Sequence, residues 1–194
     1  MDAIKKPKRF EFIGYLRALK IQGKTIFNVL GPLTNPGGAL HQLIGVYNEG
    51  LVKTVAEVLS GLGAQRALVA HGMDGLDEIT LCDKTLVAEL NKGKVKTYTI
   101  SPEDFNLKRA PISALRCATQ EQSKEKALGV LEGEAGPAKD IVCLNAGAAL
   151  YVAGKVRSIQ EGVLLAEELI ETGEAYEKLE EIVEFTQNAH EVAG

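Results

Sequence analysis

The sequence predicts an α/β fold: a sheet containing a parallel βαβ unit, flanked by helices. Three observations carry this expectation. Two short apolar runs, Gln42–Tyr47 and Arg66–Ala70, are separated by a segment in which Leu51, Val52, Val55, Val58, Leu59 and Leu62 recur at helical spacing. Gly63 sits where a helix C-cap belongs, so strand, helix and strand follow one another through tight turns. Strands joined by a helical crossover run parallel. The third observation is that the last third of the chain reads as helix, broken at Gly133, Gly154 and Gly173.

In chain order, residues 1–23 give only a weak helical pattern over Phe10–Lys20. The stretch Lys24–Pro36, KTIFNVLGPLTNP, reads as an apolar core element closed by a stiff turn at Gly31-Pro32 and Asn35-Pro36. Proline drives its preceding residue out of the helical region, so a loop is expected after Leu30. Past the βαβ unit, Thr85–Leu90 and Val95–Ile100 flank Asn91-Lys92-Gly93-Lys94 and predict a hairpin. Ser101, Pro102, Glu103 and Asp104 offer an N-cap, a first-turn proline and first-turn acids for a brief helix. Residues 106–124 show no clear period and read as loop. Helices are expected over Ser123–Leu131, over Ile141–Ala153 with Asp140 as cap, from a Ser158/Glu161 capping box onward, and around Tyr176, Leu179, Ile182 and Val183. The small residues Ala146, Gly147, Ala148 and Ala149 allow a neighbouring backbone to come close.

The 194 residues suit one globular domain, with 45% hydrophobic and 25% charged residues. No apolar run approaches the ~20 residues that span a bilayer, and the N-terminus lacks a secretory pattern. Cys82, Cys117 and Cys143 form no C-x-x-C pair, so neither a disulfide framework nor a zinc site is indicated. A reduced, cytoplasmic setting follows. Seven Lys/Arg against Asp2 and Glu11 give residues 1–24 a charge of +5, so the remainder carries −9 of the total of −4. An acidic body argues against nucleic acid as the main partner.

Ligands of open α/β sheets collect at the carboxyl ends of the parallel strands. The loop leaving the second strand is His71-Gly72-Met73-Asp74-Gly75-Leu76-Asp77-Glu78, with two glycines and three carboxylates. Asp77 and Glu78 are the candidates there, because Mg²⁺ favours hard carboxylate oxygens and shares itself with water and phosphate. A solvated acidic turn is the plainer reading of the same residues. His71 is placed for a general base or, more simply, for a structural hydrogen bond. Neither G-x-x-x-x-G-K-[ST] nor G-x-G-x-x-G is present.

Several motifs in series extend this reading. TIFNVLGPLTNP, QLIGVY, ALVAHGMDGLDEIT, SPEDF and LEGEAGPAKDIVCLNAGAALYVAGK, in that order, resemble the anthranilate phosphoribosyltransferase family from about Lys24 to Phe185. The resemblance implies the C-terminal α/β domain shared by nucleoside phosphorylases and these phosphoribosyltransferases. It implies transfer of phosphoribose from phosphoribosyl pyrophosphate (PRPP) to anthranilate in tryptophan biosynthesis, with Mg²⁺ as cofactor. By the same resemblance Asp77 and Glu78 bind Mg²⁺, and Gly31 and Pro32 line the anthranilate pocket. The family's GTGGD-type phosphate loop, its Lys-His-Gly-Asn segment and its helical domain find no counterpart in these residues. Where the family holds the anthranilate carboxylate with an arginine, ten positions before Asn28, this chain has Ala18, with Arg17 beside it. Its Gly-Gly-Asp after the Leu-Arg pair is Cys117-Ala118-Thr119. The expected division is a divergent basic segment 1–23, the domain 24–188 and a tail 189–194. The expected behaviour is a partial enzyme, inactive without an N-terminal half as partner and prone to self-association. The alternatives are a non-catalytic binding module of the same family and, more weakly, a nucleoside phosphorylase.

Overall fold

The computed structural model describes Leu33 and residues 38–192, with side chains through residue 188. Strand β1 (His41–Gly45) leads through helix α1 (Glu49–Gly61) to β2 (Arg66–Gly72), and the hairpin β3 (Thr85–Asn91) and β4 (Lys94–Ile100) follows. A 3-10 turn (Pro102–Phe105) precedes α2 (Ile112–Leu115), α3 (Gln120–Leu131), α4 (Pro137–Val152), α5 (Ile159–Glu171) and α6 (Glu174–Val192). The strands form one sheet in the order β1-β2-β3-β4. β1 and β2 are parallel, with His41 opposite Arg66 and Gly45 opposite Ala70. The other two pairings are antiparallel. The mixed α/β sheet expected from the sequence is present.

Alternation along the strands divides the core into two layers. Ala67, Val69, Ala88 and Leu90 face α1, whose Val52, Val55, Ala56 and Leu59 are buried against them. Leu68, Ala70 and Val87 face the other way, onto Leu144, Ala148 and Val152 of α4 and Val163, Ala166 and Ile170 of α5. The side chain of Leu33 packs at the margin of the first layer.

Local signals account for most element ends. Asn48 caps α1 by accepting the Gly50 N–H at 2.9 Å, and Gly63 leaves the helix at φ +93°. Lys92 (φ 48°) and Gly93 (φ 77°) form a two-residue turn with positive φ at both positions, the geometry that matches strand twist. The Ser101 N–H donates to the Asp104 carboxylate at 2.8 Å, and the element it opens is the expected short one. Ser158 Oγ accepts the Glu161 N–H at 3.1 Å, while the Glu161 carboxylate reaches back to the Arg157 N–H at 2.8 Å.

Three expectations are corrected. The segment 106–124 is not all loop: α2 lies within it, and α3 begins at Gln120, three residues before Ser123. Thr119 supplies the start, its Oγ1 accepting the Gln122 N–H at 3.2 Å, but the charged first turn hides the helix from an apolar-periodicity argument. Helix α4 begins at Pro137 rather than after Asp140, because proline is at home in a first helical turn; Asp140 lies inside that turn. Leu33 is helical where Gly31-Pro32 predicts a loop. The apolar side of α6 does not reach the core throughout: Ile182 is 53% and Phe185 74% exposed. The remaining sequence features before residue 38, including Phe10–Lys20, Arg17, Ala18, Gly31 and Pro32, lie outside the described residues. No described helix is long and apolar enough to cross a membrane.

The closest helix contact joins α4 and α5. A Cβ built on Gly147 would lie 2.5 Å from the Val163 nitrogen, and one built on Gly162 would run into the Gly147 carbonyl oxygen. The small-residue stretch does admit a neighbouring backbone, as its composition predicted.

Candidate functional site

The chain leaving β2 is folded back on itself by backbone hydrogen bonds. The Gly72 N–H donates to the Leu76 oxygen, the Gly75 N–H to the Gly72 oxygen and the Met73 N–H to the Lys84 oxygen, each at 2.8 Å. Asp74 is consumed by this turn. Its Oδ2 accepts the Thr80 hydroxyl at 2.8 Å, and that hydroxyl oxygen accepts the Cys82 N–H at 2.9 Å. Of the three carboxylates in the loop, Asp74 is therefore structural, and Asp77 and Glu78 are left exposed to solvent.

Two distant residues fix where this pair sits. Gly45, the last residue of β1, has the Asp77 carbonyl directly against it; no Cβ fits there. That contact sets Asp77 and Glu78 beside the carboxyl end of β1. Asn145 of α4 reaches the other side: its Oδ1 accepts the Ile79 N–H at 3.1 Å and its Nδ2 donates to the Ile79 oxygen at 2.8 Å. Sequence reasoning did not single out either residue as functional. The signals were a glycine inside an apolar strand, which marks close backbone approach, and an asparagine inside an apolar helix.

Partial burial, Asp77 and Asp74 all push the Glu78 carboxyl above the usual glutamate range, burial contributing most. Asp77 and Glu78 offer hard oxygen donors, and the crowding of negative charge on Glu78 is what a divalent cation relieves. Among the described residues no three His, Cys, Asp or Glu side chains converge to hold a metal alone. The pair accordingly fits an ion shared with water and phosphate oxygens rather than one caged by protein.

The raised pKa has a thermodynamic sign. Folded protein holds the Glu78 proton more tightly than unfolded protein, so the associated stability is full below the unfolded pKa and lost as pH rises through the folded value. In chelator-treated buffer, E78Q is expected to melt above the parent at neutral pH, with the gap closing as pH falls below the ordinary carboxylate range. Melting curves from pH 3 to 8 check this.

Glu78 also borders a cavity of about 370 Å³ lined by Ile112, Leu115, Arg116, Val130 and Ile141, among others. Cys117 is on its wall, while Thr119 serves as the α3 cap. Lys126 is occupied at the rim, donating to the Ala114 oxygen at 3.0 Å and the Arg116 oxygen at 3.3 Å. His71 is a structural tie, its Nδ1 meeting the Val46 oxygen at 2.7 Å and joining the ends of β1 and β2. Cys82, Cys117 and Cys143 are free thiols.

An acidic pair beside the carboxyl end of β1, under a helical layer, sits where open α/β sheets gather their ligands, and comparison with known proteins assigns the domain to a family. Residues 8–176 match the model of the glycosyl transferase family, a/b domain, and the chain belongs to that family. Within it, the chain is similar to anthranilate phosphoribosyltransferases. It is 53% identical to that of Laribacter hongkongensis over 163 residues, 84% of this chain and 48% of the relative. The solved anthranilate phosphoribosyltransferase of Thermus thermophilus superposes with a TM-score of 0.82 at 43% identity, covering 92% of this chain and 52% of that one. The Saccharomyces cerevisiae enzyme in complex with PRPP and Mg gives 0.76 at 26% identity, over 88% of this chain and 49% of that one. The chain thus spans about half the length of the relatives it matches.

Proposed function

We propose that this chain is the α/β portion of an anthranilate phosphoribosyltransferase, with residues 24–188 as the domain, 1–23 as a basic segment and 189–194 as a tail. The reaction breaks the bond between the anomeric carbon of PRPP and its pyrophosphate oxygen, and forms one to the anthranilate nitrogen. The observation that carries this reading is the placement of Asp77 and Glu78 at the carboxyl end of β1 against Gly45, in a chain whose relatives bear that name. Asp77 and Glu78 would hold Mg²⁺, which when bound neutralises charge on the departing pyrophosphate. Anthranilate brings its own amine, so the chain need not provide a nucleophile. By resemblance, Gly31 and Pro32 border the aromatic acceptor. The three free thiols suit a cytoplasmic setting.

The glycine-rich phosphate loop typical of such enzymes does not occur within the 194 residues. Positioning supplies much of the rate in a two-substrate transfer, so this chain alone is expected to turn over little or not at all. An anthranilate fluorescence assay with PRPP and Mg²⁺, run with and without an N-terminal half carrying the GTGGD segment and helical domain, tests the proposal. Turnover that depends on the added half, and that D77N lowers by roughly 100-fold or more, supports it. Substantial activity from the chain alone, or activity indifferent to D77N, overturns it.

A further inference from the structure

We propose that Asn145 is the positioning residue of the acidic pair: it fixes the direction in which Glu78 leaves the backbone. The inference rests on the metal-binding reading of Asp77 and Glu78.

Glu78 lies between two peptide planes, and each is held from outside the loop. The plane joining Asp77 to Glu78 carries the Asp77 carbonyl, which is pressed against Gly45. The plane joining Glu78 to Ile79 carries the Ile79 N–H, which donates to Asn145 Oδ1. Peptide groups are rigid, so setting the planes on both sides of one Cα sets its φ and ψ together. With φ and ψ fixed, the Cα–Cβ direction of Glu78 is fixed as well. Asn145 also donates to the Ile79 carbonyl, which locks the next plane. Its second amide proton goes to the Ile141 oxygen at 3.0 Å, one turn back on α4, so its carboxamide is itself held in one orientation. Ile79 is 1% exposed, so losing these bonds would leave buried backbone groups short of partners, which is costly. The acidic pair is exposed, yet its geometry is dictated by a side chain of the helical layer.

The test uses the whole chain and titrates Mg²⁺ in the presence of inorganic pyrophosphate by calorimetry, well below the melting temperature. Amide exchange at Ile79 is followed in parallel. N145A is compared with L144A, which removes volume from the buried neighbour on α4 but leaves both Asn145 hydrogen bonds to Ile79 in place. N145A is expected to weaken Mg²⁺ binding about 10- to 100-fold, the usual range for loss of an outer-shell support, and to speed Ile79 exchange beyond its effect on global stability. L144A should change the affinity less than about twofold while lowering the melting temperature. N145S replaces the carboxamide with one short hydroxyl, able to meet Ile79 once where Asn145 meets it twice. It should fall between parent and N145A, and it serves if N145A does not fold. Equal weakening by N145A and L144A, or an Ile79 amide that stays protected in the folded variant, overturns the proposal. If the parent binds no Mg²⁺ with pyrophosphate, the metal reading fails alone. The exchange data then judge Asn145: local opening at Ile79 in excess of that in L144A upholds positioning, and its absence refutes it.

Discussion

Replacing Gly45 with alanine is expected to destabilise the chain by about 3 kcal/mol and to abolish the Mg²⁺ binding proposed for the acidic pair. The added methyl would be built into the Asp77 carbonyl oxygen, a backbone atom that cannot swing aside as a flexible side chain can. Either β1 shifts against β2, disturbing the register from His41–Arg66 to Gly45–Ala70, or the loop lifts and strains the Ile79–Asn145 bonds. Overpacking of this kind costs typically 1–3 kcal/mol and sometimes more. For a domain of this length the upper figure corresponds to a fall in melting temperature of roughly 6–12 °C. Thermal melts and Mg²⁺ titration with pyrophosphate check both halves of the expectation. G45A with parental stability and parental Mg²⁺ affinity would mean that the Asp77 backbone is not held where the structure puts it.

The second large effect is expected at Gly162, where the sign itself is informative. Alanine in place of glycine inside a helix ordinarily stabilises by up to about 1 kcal/mol. Here the new Cβ meets the Gly147 carbonyl oxygen of the facing helix, and Gly147 is equally tight against Val163. Forcing α4 and α5 apart loosens Leu144, Ala148, Val163 and Ala166 together, all of them buried. A net loss of about 2 kcal/mol is expected after the gain in helix propensity is set against it. Denaturant midpoints measure it. Stabilisation by G162A would contradict the close approach.

The parts of the fold that were legible in the sequence are those fixed by neighbours in sequence. Gly63, Lys92-Gly93, Ser101 and Ser158 each act within a few residues, so each of these element ends could be read one at a time. The misreadings have a common cause. Helix α3 opens with Gln120, Glu121, Gln122, Lys124, Glu125 and Lys126, which give periodicity nothing to count, and only the Thr119 cap betrays it. Pro137 and Leu33 follow residues that usually signal turns, yet both are helical. At the candidate site, the acidic pair could be picked out as a candidate because its chemistry is carried by adjacent residues. Its supports were not: Gly45 and Asn145 matter only through partners that the chain brings together in three dimensions.

The separations involved bear on how the site comes into being. The bond between Asn145 and Ile79 spans 66 residues, whereas the hairpin that follows the acidic loop closes over two. Contacts that enclose long loops must await the loss of chain entropy that local structure does not incur. During synthesis the G-L-D-E sequence is complete, and its strands and hairpin able to pair, while α4 is still to be made. The motif therefore precedes its own geometry. An acidic turn with the right residues exists early, and it acquires a defined direction only when the helical layer closes over it.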